Sequence, residues 1–435
     1  MSALIRGAGI FLAALTWGGL QSVRAQAPDA AVTPAAATNL ALNEVVDLAV
    51  RDNPQLQSLR SRWEAMKERP AQAGALPNPM FTYSGMQNAS AGNFPDTEER
   101  RFMVQQEFPW FGKRGLRGGI AAKDADTMRR EVDALTFDVI MQVKEIYYDL
   151  YAVQRVITIT REEEAVLRRM VKIAETLYAT GERSQVDVLK AQTEITLLKQ
   201  KLLELQAQET TLKAKLNTLL NRRADAVLGV AATPPQTGFT GNFEQLLALA
   251  VTNRPEIQSA QTQIERYELE KQLMAKEYLP DYKLGLEYRD LTEGDNQLMV
   301  IVGVELPIWQ SKYRAGAREA AKMLASSQAA REAAERQTAL DVQDTHFKFL
   351  TARRTLELYQ TELIPQAETS FSASEAGYRT GKVNFLDLLE SERFLLNTRV
   401  MAALTEGALG MQAARLERAI GGASLSVAMS GGTDK

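Results

Sequence analysis

The chain has 435 residues, with 51 Lys and Arg against 54 Asp and Glu, one His and no Cys. This near balance offers no basic footprint for a nucleic-acid partner, and the absence of cysteine excludes disulfides and thiol-dependent lipidation. With no H-E-x-x-H, Walker A loop or nucleophile elbow, zinc, ATP and serine-hydrolase chemistry lack their residues, so the chain does not read as an enzyme and implies no cofactor.

Residues 1–25 carry Arg6, the apolar run GAGIFLAALTWGGL and the ending Val23-Arg24-Ala25, which read as a secretory signal removed before Gln26. Beyond it no stretch approaches the roughly 20 apolar residues of a membrane-spanning helix, so any entry into a membrane needs another route.

The rest is a tandem duplication: repeat 1 over 26–225, a linker over 226–242, repeat 2 over 243–421 and a flexible tail over 422–435. NPQLQS from Asn53 is answered by RPEIQS from Arg254, Leu76-Pro77 by Leu279-Pro280, and FPWFGK from Phe108 by LPIWQSK from Leu306. YATGERSQVDVLKAQ from Tyr178 is answered by YRTGKVNFLDLLESE from Tyr378, again about 200 residues on.

Each copy reads helix, strand, strand, long helical region. In repeat 1 the strands are expected near 79–87 and 101–108, on either side of the polar loop ASAGNFPDTEE. In repeat 2, Tyr282, Leu284, Leu286 and Tyr288 alternate with Lys283, Gly285, Glu287 and Arg289. After DLTEGDN, Leu298, Val300, Val302, Val304 and Leu306 share one face of a second strand. Four strands of about 10 residues suit a tilted bilayer crossing, with Tyr282, Leu284, Leu286 and Tyr288 facing the membrane. Alternation alone also fits a soluble two-hairpin sheet.

The helical regions are too long for an ordinary globular domain. No proline occurs between Phe111 and Thr233, and a continuous helix over 115–179 would run about 95 Å. Val139, Val143, Ile146, Leu150, Val153 and Ile157 recur at spacings of 4 and 3, as do Ile195, Leu198, Leu202 and Leu205 further on, so these helices read as coiled-coil partners. Between them Gly181 suits a left-handed helix end, and Ser184 with Asp187 has the form of a capping box. Gly381, Asn384 and Asp387 repeat the arrangement, so the duplicated motif reads as the tip of a helical hairpin, written once per copy.

These residues resemble the outer-membrane efflux proteins of the TolC family over essentially the whole mature chain. The resemblance rests on the duplicated YxTGxxxxxD tip motif, LPNP and YLPD entering the first strand of each pair, FPWFGKR and LPIW leaving the second, and the closing LERAIGG. It implies a mainly α chain with transmembrane β. Four strands per chain would join a homotrimeric 12-stranded barrel set in outer-membrane lipid, continued by a long α-helical coiled-coil barrel in the periplasm. The implied function is a passive exit duct for metal ions or drugs, recruited by a periplasmic adaptor and an inner-membrane pump of the RND type.

By the same resemblance, Thr180, Gly181, Ser184, Asp187, Thr380, Gly381, Lys382 and Asn384 would form the adaptor-docking tips, and Asp387 with Glu390 the pore constriction. Helix capping alone also accounts for Asp187 and Asp387. The basic residue that often precedes the ring is replaced by Val383, with Lys382 one position earlier, and the second acid is Glu rather than Asp. The FPWFGKR and LPIWQSKYRAG forms look closer to the heavy-metal branch. Met80, Met86, Met103 and Met299, on or near strands, could bind soft ions or simply fill a barrel wall. A periplasmic adaptor or coiled-coil scaffold is the alternative, though it normally carries one hairpin rather than two.

Overall fold

The computed structural model describes residues 40–86, 99–233, 241–291 and 295–422. The signal segment, the tail beyond residue 422, Gln87, most of the first strand loop and residues 234–240 of the linker lie outside the described residues.

The elements run α1 (Leu42–Asp52), α2 (Pro54–Lys67), α3 (Arg69–Ala73), β1 (Met80–Met86), β2 (Glu99–Phe108), α4 (Lys113–Ala179), α5 (Gln185–Leu219), α6 (Phe243–Asn253), α7 (Pro255–Lys276), β3 (Asp281–Leu291), β4 (Gln297–Glu305), α8 (Gln310–Leu358), α9 (Ile364–Arg379) and α10 (Phe385–Ala419). The same order of helix, hairpin and long helical pair thus occurs twice. Asn53 starts α2 by accepting from the N–H groups of Gln55 and Leu56 at 2.9 and 3.2 Å, with Pro54 at the first helical position. In repeat 2, Arg254 takes that place and pairs with Asp341 on α8 at 2.7 Å instead. The duplicated motif keeps its proline and exchanges a cap for an ion pair.

The four strands form one antiparallel meander in the order β1-β2-β3-β4. Its register puts Tyr83, Phe102, Tyr288 and Leu298 in one row, and Phe81, Val104, Leu286 and Val300 in the next on the same face. The opposite face carries Ser84, Arg101, Arg289 and Gln297, then Thr82, Met103, Glu287 and Met299. On it Arg101 pairs with Glu99 at 2.7 Å and Arg289 with Glu287 at 2.5 Å. A soluble sheet would need a second layer over the apolar face. Here Phe81, Val104, Leu286, Leu298, Val300 and Val302 are all exposed, so among the described residues nothing covers that face.

Helix α4 runs 67 residues, about 100 Å at 1.5 Å per residue. Val139, Val143, Leu150, Val153 and Ile157 of the expected seam are buried, and Ile146 partly so. They meet Leu205, Leu212 and Leu216 of α5 together with Leu42, Val45 and Leu56 of the first helices. Covering each such side chain is worth about 1.5–3 kcal/mol. Helix α10 comes close to α4 where Gly410 faces Tyr148; a Cβ there would lie 2.2 Å from the ring. The descending helix of repeat 2 is interrupted where that of repeat 1 is not: Pro365 has no N–H for the ladder, and the chain widens into a π turn over Tyr359–Leu363 just before it. Among the described residues no helix is long and apolar enough to cross a membrane.

Candidate functional site: helical tips and sheet-to-helix junction

Both tips are built the same way. Gly181 and Gly381 have φ of 78° and 77°, and each closes the preceding helix with paired bonds. Gly181 N–H reaches Tyr178 O at 3.0 Å and Glu182 N–H reaches Leu177 O at 2.9 Å; Gly381 and Lys382 make the matching bonds to Tyr378 and Gly377. This is the Schellman pattern, which needs the left-handed residue that glycine supplies without strain. Thr180 and Thr380 turn their hydroxyls back to carbonyls of the last turn at 3.1 Å. The Thr-Gly pair of the motif therefore terminates a helix.

The restart differs from expectation at the first tip. The Ser184 hydroxyl accepts from the Val186 N–H at 3.2 Å rather than from Asp187, whose N–H meets the Ser184 carbonyl, so the capping box is not made. At the second tip the Asn384 side chain does accept from the Asp387 N–H at 2.9 Å. The Asp187 carboxylate has another use: its Oδ2 accepts from the Tyr378 hydroxyl at 3.2 Å. Arg183 lies 5.0 Å above the Tyr378 ring and donates to the Val383 carbonyl at 3.0 Å. Burial and the neighbouring Asp187 charge push the Tyr378 hydroxyl up to about 12, so it stays a donor.

The repeat is thus broken at its most legible residue. Tyr378 is 1% exposed, packed edge-on against Phe385, whereas Tyr178 is 48% exposed. Arg183 occupies in repeat 1 the position of Val383 in repeat 2, so a cation stands at this tip but on the other hairpin. That substitution was visible in the sequence; the contact across repeats was not. Lys382, Asn384, Asp387 and Glu390 are exposed, the two acids three residues apart on α10, with Leu386 exposed beside them. Thr180, Gly181, Ser184, Thr380 and Gly381 are exposed as well.

At the other end, the strand-flanking motifs meet. Lys113 of FPWFGK is 2% exposed and bonds Asp281 of YLPD at 2.9 Å and the Leu279 carbonyl at 3.0 Å, with Glu277 at 3.5 Å. The Trp110 N–H donates to the same Asp281 oxygen at 2.6 Å, and its ring stacks on Tyr282 at 5.5 Å. An ammonium this enclosed is tolerated because two carboxylates and a carbonyl replace its water. Leu284, Leu286 and Tyr288 continue outward from Tyr282 on the exposed apolar face, while Met103 and Met299 lie on the polar one. Among the described residues no group of three or more His, Cys, Asp or Glu is arranged to hold a metal ion.

Residues 45–222 and 246–422 each match the family described as outer membrane efflux protein, one match per repeat. The chain is 23% identical over 398 residues to the cobalt-zinc-cadmium resistance protein CzcC of Cupriavidus metallidurans, covering 89% of this chain and 91% of that one. Its fold is similar to that of the transmembrane channel protein CusC, with a TM-score of 0.75 at 16% identity over 88% and 92% of the two chains. It is similar also to the outer membrane protein VceC of Vibrio cholerae, with a TM-score of 0.73 at 18% identity over 88% and 96%.

Proposed function

Since this chain belongs to the outer membrane efflux protein family, and is thus a passive exit duct in the outer membrane rather than an enzyme, we propose that three copies close one barrel and that the helical tips are its gated periplasmic entrance. The observation that carries the trimer is the four-stranded meander: an uncovered apolar face, with β1 and β4 at edges that no strand of the described chain pairs. In lipid each unpaired backbone group costs several kcal/mol, so the edges must meet other copies. Three chains of four strands give 12, an even number within the range of outer-membrane barrels.

In this reading repeats 26–225 and 243–421 each supply one hairpin to the periplasmic tunnel, with 226–242 between them. Thr180, Gly181, Ser184, Asp187, Thr380, Gly381, Lys382 and Asn384 meet a periplasmic adaptor, which links the duct to an inner-membrane pump of the RND type. Asp387 and Glu390 ring the constriction; six carboxylates about one axis favour cations. Tyr282, Leu284, Leu286 and Tyr288 face lipid. The relative CzcC is a cobalt-zinc-cadmium resistance protein, and this, together with the acidic ring, supports divalent metal cations as cargo.

Reconstitution into planar bilayers tests the duct. The expected result is a cation-preferring conductance that Asp387→Asn with Glu390→Gln makes less selective. A protein that inserts without conducting would contradict the duct, and selectivity unchanged in the double variant would remove these acids from the constriction.

A further inference from the structure

Glu163 on α4 and Glu392 on α10 are 3% and 2% exposed, where α4 packs on α10 toward the tips. Their carboxyl groups lie within hydrogen-bonding reach of each other, and each keeps one oxygen, Oε1, buried with no partner among the described residues. Two carboxylates offer only acceptors and repel; a bond between them requires a proton.

The neighbours do not offer another way to carry two charges. The charged groups bearing on Glu392 are Glu163 from α4, Glu194 from α5 and Arg393 from α10 itself. Arg393 is already held by Glu194 in an ion pair, so this pair adds no free cation. Burial, then the bond and the charge of Glu163, push the Glu392 carboxyl up to about 9. A cavity of about 280 Å³ lies beside Glu392, lined by Val156, Leu198, Leu396 and Val400 together with Glu194, Arg393 and Lys201; Lys201, from α5, is paired with Glu204.

We infer that Glu163 and Glu392 form a proton-binding site between the two hairpins, and that release of the proton weakens the packing of α4 on α10 near the tips. The consequence for the entrance rests on the duct reading; the proton site itself does not. A carboxyl raised in the folded state contributes stability that is complete below its unfolded value, near 4.5, and is lost as the pH climbs toward 9. His346 is the only histidine in the chain and burial lowers its pKa, so it does not compete in the upper half of that window.

Infrared difference titration of the purified full-length protein in detergent tests the site directly. The expected wild-type result is a protonated-carboxyl C=O band that disappears with a midpoint above neutrality and is missing in Glu392→Gln. The thermal midpoint should fall between about pH 6 and pH 9 in the wild type and stay flat in Glu392→Gln, whose amide donates to Glu163 as the acid does. Glu163→Gln removes the like charge but not the burial of Glu392, so it should reduce the pH dependence and move the band's midpoint down, which keeps the test open if one variant does not fold. Absence of the band in the wild type, or the same pH dependence in wild type and both variants, would overturn the inference. In bilayers, wild-type conductance should rise over the same range and that of Glu392→Gln should not; a titrating band without this rise would overturn the link to the entrance while leaving the duct intact.

Discussion

The Tyr378 hydroxyl donates to Asp187 across 3.2 Å, joining the end of one hairpin's descending helix to the start of the other's ascending helix, 191 residues away in sequence. Arg183 covers the same ring and holds the Val383 carbonyl, so one arginine and one tyrosine tie the two tips of a chain together. Tyr378→Phe removes a hydrogen bond to a charged group, worth about 1.5 kcal/mol, without emptying the buried ring site. Faster hydrogen exchange at both tips is expected, with a larger baseline conductance, and Arg183→Ala should add to it. Unchanged exchange at residues 378–387 would show that this contact does not hold the tips.

The glycines make a second prediction, because their role is conformational. Nothing lies within 4 Å of a Cβ at Gly181, so Gly181→Ala carries only the left-handed penalty, about 1–2 kcal/mol. Gly181→Pro or Gly381→Pro forces φ negative, opens the Schellman bonds and should impair efflux while the assembled duct persists. Normal efflux in both proline variants would separate the tips from function.

The sheet-to-helix junction depends on a buried charge. Lys113→Met leaves Asp281 with the Trp110 N–H but without its cation, an imbalance of about 3–5 kcal/mol. The expected outcome is a marked drop in the thermal midpoint of the detergent-solubilised protein. Lys113→Met with Asp281→Asn should recover part of the loss, since neither charge is then left alone; no recovery would mean the site is not one unit.

Close helix packing offers a fourth test. Gly410→Ala places a methyl 2.2 Å from the Tyr148 ring, so either α10 or the ring must move. Overpacking of this kind costs about 1–3 kcal/mol. The pairing Gly410→Ala with Tyr148→Ala should destabilise by less than the sum of the single changes, read from thermal midpoints.

Elements whose signal is local were legible in the sequence. The period-2 alternation from Tyr282 to Tyr288 placed a strand that runs Asp281–Leu291, and the proline-free stretch placed a helix that runs Lys113–Ala179. The Thr-Gly pairs located both tips because a Schellman turn is specified by a few consecutive residues. What alternation left open, a soluble sheet or a membrane one, turns on tertiary structure, since only the fold shows that the apolar face is exposed among the described residues. The capping box was misread at Ser184 because Asp187 is drawn to Tyr378, a partner in the other repeat. In the sequence Glu163 reads as part of the acidic run Glu162–Glu164 on a solvated helix face, yet α10 buries it; like Arg183 and Glu392, its meaning lies in contacts between repeats, and duplication hides the positions where the copies have ceased to be equivalent. The π turn before Pro365 likewise had its cause in the sequence but not its form.

Native mass determination of the protein extracted from outer membranes, with and without detergent, tests the central claim most directly. A trimer that requires detergent is the predicted result, because three meanders must share their edges and bury their apolar face in lipid or its substitute. A monomer or dimer that stays soluble without detergent would contradict the shared barrel.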